Sequence, residues 1–263
     1  MEWILWTILS LVAFVPVAFV IGSLWAVLAL SRQLRLSDRV LFFWGRIYTR
    51  IVHRVRVEGT EHIPETGPVL FVANHTAGVD PILITAPCRR QIRWIMALDM
   101  KIGVLNWFWA WQRTIFVGRD GKPGGKDRGA SGLRAAMEEL KAGGAVGIFP
   151  EGGIERPPGQ VMPYQAGVGL MIRKAGVPVV PVWISGTPQV DPAWASLWRF
   201  SRSHVVYGKP IDFTDRKLGA AEIADELRAW TMKTAGWPAN DHPQKTLAEG
   251  EASGEQAAAP AAR

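Results

Sequence analysis

Hydrophobic positions along the chain follow two regimes. Residues 1–31 form one run dominated by Trp, Ile, Leu, Val, Ala and Phe, with a single charge, Glu2, and a single proline, Pro16. About 20 apolar residues cross a hydrocarbon core of ~30 Å, so the run is long enough to span a bilayer. A cleaved signal peptide would carry a basic start and a shorter apolar stretch of ~7–15 residues, so a retained anchor is expected instead. Pro16 also allows a pair of short helices that dip into one leaflet and return. From residue 66 the pattern changes to short apolar runs at 68–73, 92–98, 114–117, 145–149, 177–184 and 204–207. Their near-continuous hydrophobicity is that of strands buried on both faces.

Helical spacing fills the intervals. Residues 130–142 place Leu133, Ala136, Met137 and Leu140 on one face and stop at Gly143-Gly144. Residues 164–175 close at Gly176, and 220–234 bring Ile223, Leu227 and Trp230 into register. The alternation predicts an α/β fold, with a mostly parallel central sheet flanked by helices and an N-terminal hydrophobic anchoring helix or helix pair. The expected organisation is an anchor over 1–31, a basic juxtamembrane helix and linker over 32–65, an α/β domain over 66–236, and a disordered tail over 237–263. The tail is too poor in apolar side chains to offset the entropy of ordering. No internal repeat is visible.

Charge places this architecture. The chain of 263 residues carries a formal net charge of +7. Arg32, Arg35, Arg39, Arg46, Arg50, Arg54 and Arg56 follow the apolar run with only Asp38 between them as counter-charge. The positive-inside rule then puts the catalytic body on the cytoplasmic side of a membrane. Thirteen Trp against three Tyr favour the same surroundings, since the indole suits the interface. Anionic lipid accounts for the Arg cluster more simply than nucleic acid, because the cluster abuts the apolar segment. The single cysteine, Cys88, excludes an internal disulfide and a multi-cysteine metal site.

The chemistry concentrates at Val72-Ala73-Asn74-His75-Thr76-Ala77-Gly78-Val79-Asp80-Pro81. A buried strand ends at Ala73, and Asp80-Pro81 has the form of a helix start, with Asp as N-cap and Pro at the first helical position. Five positions apart on a regular helix, His75 and Asp80 would diverge by about 140°. A loop-to-cap turn bent at Gly78 would bring them together. An imidazole oriented by a carboxylate is fixed in tautomer and strengthened as a base toward a hydroxyl. A polar loop histidine beside an Asp that only caps the helix would serve the segment equally well.

Three further segments change that balance: Ile115-Phe116-Val117-Gly118-Arg119, Phe149-Pro150-Glu151-Gly152 and Val177-Pro178-Val179-Val180-Pro181-Val182. With Asn74-His75 and Asp80, in this order, they resemble the four sequence blocks of the glycerolipid acyltransferases, over about residues 50–210. The resemblance implies transfer of a fatty acyl group from acyl-CoA or acyl-carrier protein to a lysophospholipid hydroxyl, foremost that of 1-acyl-sn-glycerol 3-phosphate. It implies neither a bound cofactor nor a metal, and no covalent acyl-enzyme. By that resemblance His75 is the general base and Asp80 its partner. Arg119 holds the acceptor phosphate, and Asn74, Glu151, Gly152 and Gly153 line the acceptor site.

The third block departs from the family pattern. Glu151-Gly152 continues as Gly153-Ile154-Glu155, where a hydroxyl residue and an arginine are usual. Arg156 is the candidate replacement for the missing cation. Without it the acceptor would be another lyso-lipid or an aminolipid, or the chain a catalytically silent membrane-binding relative. Lys122 and Lys126, in a Gly-rich basic loop, are candidates for the acyl donor's phosphates or acidic surface, although the loop lacks the P-loop spacing. The run 105–111, LNWFWAW, suggests an amphipathic helix lying in the membrane interface, with core packing as the competing reading. No G-x-S-x-G elbow and no clustered His ligands are present, which speaks against a serine hydrolase or a metal enzyme.

Overall fold

The computed structural model describes residues 36–98, 103, 106–118 and 125–242. The expected anchor over 1–31 lies outside them. Among the described residues no helix is long and apolar enough to cross a membrane.

In chain order the elements are α1 (Leu36–Ile51), β1 (Arg56–Glu58), β2 (Val69–Ala73), α2 (Asp80–Thr85), β3 (Ile92–Ala97), α3 (Asn106–Trp111), β4 (Ile115–Val117), α4 (Gly125–Lys141), β5 (Ala145–Ile148), α5 (Ala166–Ala175), β6 (Val179–Ser185), β7 (His204–Tyr207) and α6 (Ala220–Ala235). The strands form one sheet of seven in the order β1-β7-β6-β2-β5-β3-β4. Among these described strands, only the β6–β7 pairing is antiparallel. β2 lies between β5 and β6, and all five of its residues are buried.

Alternation along β2 divides the core. Leu70 and Val72 pack with Leu140, Ile172, Ile223 and Leu227 of the long helices. Val69, Phe71 and Ala73 face the other way, toward Leu83, Ile84, Trp94 and Tyr207. Helices thus cover both faces, as parallel strands require. α5 ends at Gly176 with φ 57, the left-handed conformation expected of a glycine stop.

Arg46 and Arg90 tie loops to the fold. Arg46 donates to the carbonyls of Ala86, Pro87 and Cys88, tying α1 to the end of α2. Arg90 gathers the carbonyls of Pro64, Gly67 and Gly143. Cys88 is fully buried, and burial pushes its thiol up to about 11, so it is an inert packing residue.

Residues 237–242 depart from the expected disordered tail. Val161 N–H donates to Pro238 O, Asn240 N–H donates to Val161 O, and the Asn240 amide donates to Arg156 O. Trp237 packs edge-on to Trp183. Residues 243–263 lie outside the described ones.

Candidate active site

β2, β5 and β6 run parallel at the centre of the sheet, so the segments after Ala73, Ile148 and Ser185 emerge at one edge. Open α/β sheets bind ligands there, beyond the carboxyl ends of the strands. Asn74 to Val79 form the loop after β2. His75 Nδ1 lies 2.9 Å from Asp80 Oδ2, with the ring partly open to solvent and the carboxylate fully buried. Nδ1–H donates to the carboxylate, which leaves the Nε2 lone pair as the acceptor.

Asp80 does not act as the expected N-cap. Val79 occupies that position, and Pro81 falls within the first turn. The carboxylate instead turns back on its own loop. It accepts the Thr76 and Ala77 N–H groups at 2.6 and 2.8 Å and the Thr76 hydroxyl at 3.1 Å, and that hydroxyl also meets Thr187 Oγ1 at 2.6 Å. Gly78 also serves differently from expectation: a Cβ there would sit 2.5 Å from the Ala193 carbonyl oxygen, so close packing, not a bend, requires glycine.

The segment after β5 clamps the His75 backbone. His75 N–H donates to Glu151 Oε2 at 3.3 Å, and Glu155 N–H donates to His75 O at 2.7 Å. Phe149 stacks on the imidazole with centroids 4.0 Å apart, and Trp94 stacks on Phe149 at 4.6 Å. Glu151 and Glu155 are buried, and Glu151 Oε1 and Glu155 Oε2 find no hydrogen-bond partner among the described residues. Burial first, then the Glu155 charge, holds the Glu151 carboxyl well above its ordinary range, against the pull of the His75 N–H. Burial likewise raises Glu155, opposed by the Gly159 N–H.

Several expected site residues take other roles. Asn74 is fully buried: its amide donates to Ile184 O and accepts from Ile184 N–H, so it splices β2 to β6 away from solvent. Arg156 is 4% exposed and occupied by Gln189, Asp191 and the Glu155 carbonyl, so it does not replace the missing head-group cation. Gly152 has φ 73, and a Cβ there would strike the Gln165 amide, whereas Gly153 faces open space. Arg119 and Lys122 lie outside the described residues, as does the side chain of Lys126. In the Trp-rich run, Trp111 donates to Asp38 Oδ1 and Trp109 packs edge-on to Phe116, so both are tied to the body of the protein. Sequence reasoning did not single out Thr76, Thr187, Gln189 or Glu155. Gln189 donates to Thr76 O at 2.6 Å.

Known proteins resemble this chain in sequence and fold. The model of the family described as Acyltransferase matches residues 54–185. A chloroplastic 1-acyl-sn-glycerol-3-phosphate acyltransferase of Arabidopsis thaliana is 24% identical over 75% of this chain and 55% of its own length. A 1-acyl-sn-glycerol-3-phosphate acyltransferase of Borreliella burgdorferi is 29% identical over 51% of this chain and 52% of its own. The chain therefore spans about half the length of the curated relatives it matches. The crystal structure of the 1-acyl-sn-glycerophosphate (LPA) acyltransferase PlsC from Thermotoga maritima superposes with a TM-score of 0.63 at 25% identity, covering 83% of this chain and 87% of that one. With the family model spanning half its residues and a His–Asp pair at the carboxyl edge of a parallel sheet, this chain belongs to the Acyltransferase family.

Proposed function

We propose that the chain transfers a fatty acyl group from acyl-CoA or acyl-carrier protein to the free hydroxyl of 1-acyl-sn-glycerol 3-phosphate, giving phosphatidic acid. The observation that carries this reading is the 2.9 Å contact between His75 Nδ1 and the buried Asp80 carboxylate, with the imidazole still open to solvent. His75 Nε2 takes the acceptor's hydroxyl proton as the oxygen adds to the thioester carbonyl. The tetrahedral adduct collapses with loss of the thiolate, which recovers the proton from the imidazolium. Asp80 holds the tautomer and offsets the imidazolium charge while that proton resides on the ring. Arg119 is assigned the acceptor phosphate. The protein works at a membrane, its catalytic domain on the cytoplasmic side, with lipids and the acyl donor as partners.

Membranes bearing the protein, given labelled acyl-CoA or acyl-carrier protein with a panel of lyso-lipids, test the reading. His75→Ala should abolish transfer with the fold intact by circular dichroism, and turnover near wild type in that variant would sink it. Arg119→Ala should chiefly raise the acceptor KM. A second reading rests on Arg156. Because that guanidinium is committed to Gln189 and Asp191, the site lacks one expected cation, and a lyso-lipid or aminolipid with a less anionic head group would then be the better acceptor. The product formed from the panel separates the two.

A further inference from the structure

Residues 186–203 return from β6 to β7 at the same carboxyl edge that carries His75. The segment is built into the site along its length. Thr187 meets Thr76, Gln189 donates to Thr76 O, and the Ala193 carbonyl packs on Gly78. From Leu197, within the 3-10 turn Ala193–Trp198, onward it is clamped to α1 and the residues just after it: Tyr48 donates to Leu197 O, Ser201 N–H to Val52 O, and Ser203 N–H to His53 O. Yet its largest side chains point outward. Trp198 is 75% and Phe200 74% exposed, with Trp194 also exposed and Ile51 of α1 64% exposed beside them. Arg50, Arg54, Arg199 and Arg202 are exposed around these residues, and no Asp or Glu occurs between Pro192 and Ser203. Outward aromatics flanked by cations match an anionic lipid surface, where rings enter the interface and guanidinium groups meet phosphates.

We infer that Trp194, Trp198 and Phe200, with Ile51 at the end of α1, form a second membrane contact that seats the catalytic edge on an anionic phospholipid bilayer. The inference rests on the reading that the acceptor is a membrane lipid. Through the Ala193–Gly78 packing, it places the bilayer surface beside the loop that carries His75.

The test uses the full chain with an environment-sensitive fluorophore on Trp198→Cys, selective because the native thiol, Cys88, is buried. A matching label on Lys217→Cys reports from beside Gly176 and Val177, at the opposite edge of the sheet. With phosphatidylcholine vesicles containing phosphatidylglycerol, the label at 198 should shift to the blue and be quenched by lipids spin-labelled near the head group. The label at 217 should do neither. Equal behaviour of the two labels, or a shift that appears without vesicles and grows with protein concentration, overturns the inference, the latter in favour of a second copy of the chain. The paired variant Trp198→Ser, Phe200→Ser should lose at least about tenfold in turnover of a vesicle-borne acceptor and none with a monomeric short-chain acceptor. Equal losses, or no loss, would also overturn it. If wild-type protein transferred acyl groups to neither acceptor, the proposed function would fail while the label result stood by itself.

Discussion

Asp80 presents two oxygens to four donors, from His75 Nδ1, Thr76 N–H, Thr76 Oγ1 and Ala77 N–H. Asp80→Asn keeps the shape but replaces one acceptor with an NH₂ group. At the Oδ2 position the NH₂ would face three N–H donors, whereas at the Oδ1 position the Thr76 hydroxyl can turn to accept it. In either placement the negative charge that offsets the imidazolium is gone, so kcat should fall roughly 10²–10⁴-fold and stability by about 1–3 kcal/mol. Turnover and urea unfolding of the same preparation measure both. Glu151 yields a pH prediction. Its folded carboxyl is raised, so the stability it contributes is full below the ordinary value of 4.5 and is lost as pH rises toward the folded value. Gln at this position does not titrate and still accepts from His75 N–H. The stability of Glu151→Gln relative to wild type should therefore grow as unfolding is measured from pH 4 upward. A difference independent of pH would show that burial does not raise the Glu151 carboxyl.

Among the elements, the turn after β5 depends on Gly152, whose φ of 73 strains any side chain and whose added Cβ would have to push aside the Gln165 amide. Gly152→Ala should strain the segment that grips His75 on both sides, reducing kcat more than it raises KM, as steady-state kinetics would show. Central strands such as Val69–Ala73 and Val179–Ser185 were legible because strands buried on both faces show as continuous hydrophobic runs. β1, Arg56–Glu58, was not legible, being a three-residue edge strand with charges at both ends. The His75–Asp80 pairing was readable because its partners are five positions apart. The role of Asn74 was not, since its partner Ile184 lies 110 residues away and nothing local announces it. Arg156 misled for the same reason. A cation near the third block suggests a ligand contact, and only the packing of Gln189 and Asp191 shows the charge already engaged.

At the scale of the molecule, the site is a meeting of three strand ends braced from behind by the last described residues. Asn240 is buried, and its amide donates to the carbonyl of Arg156, next to the Glu155 whose N–H holds His75 O. Arg228 of α6 donates to Val161 O and pairs with Asp241, while Trp237 packs on Trp183 of β6. This closing segment therefore ties α6 and the residue 156–161 loop to the sheet, although its composition gave no sign of order. A chain ending at Gly236 should be less stable than one ending at His242 by about 2–3 kcal/mol, from lost backbone pairing and indole packing. That corresponds to a melting point lower by about 5–10 °C. Because the lost bonds reach His75 only through Arg156 and Glu155, the shorter chain should keep a measurable kcat well below its melting point. Loss of all turnover at temperatures where circular dichroism shows the fold intact would mean that the closing segment touches substrate, not merely the scaffold behind it.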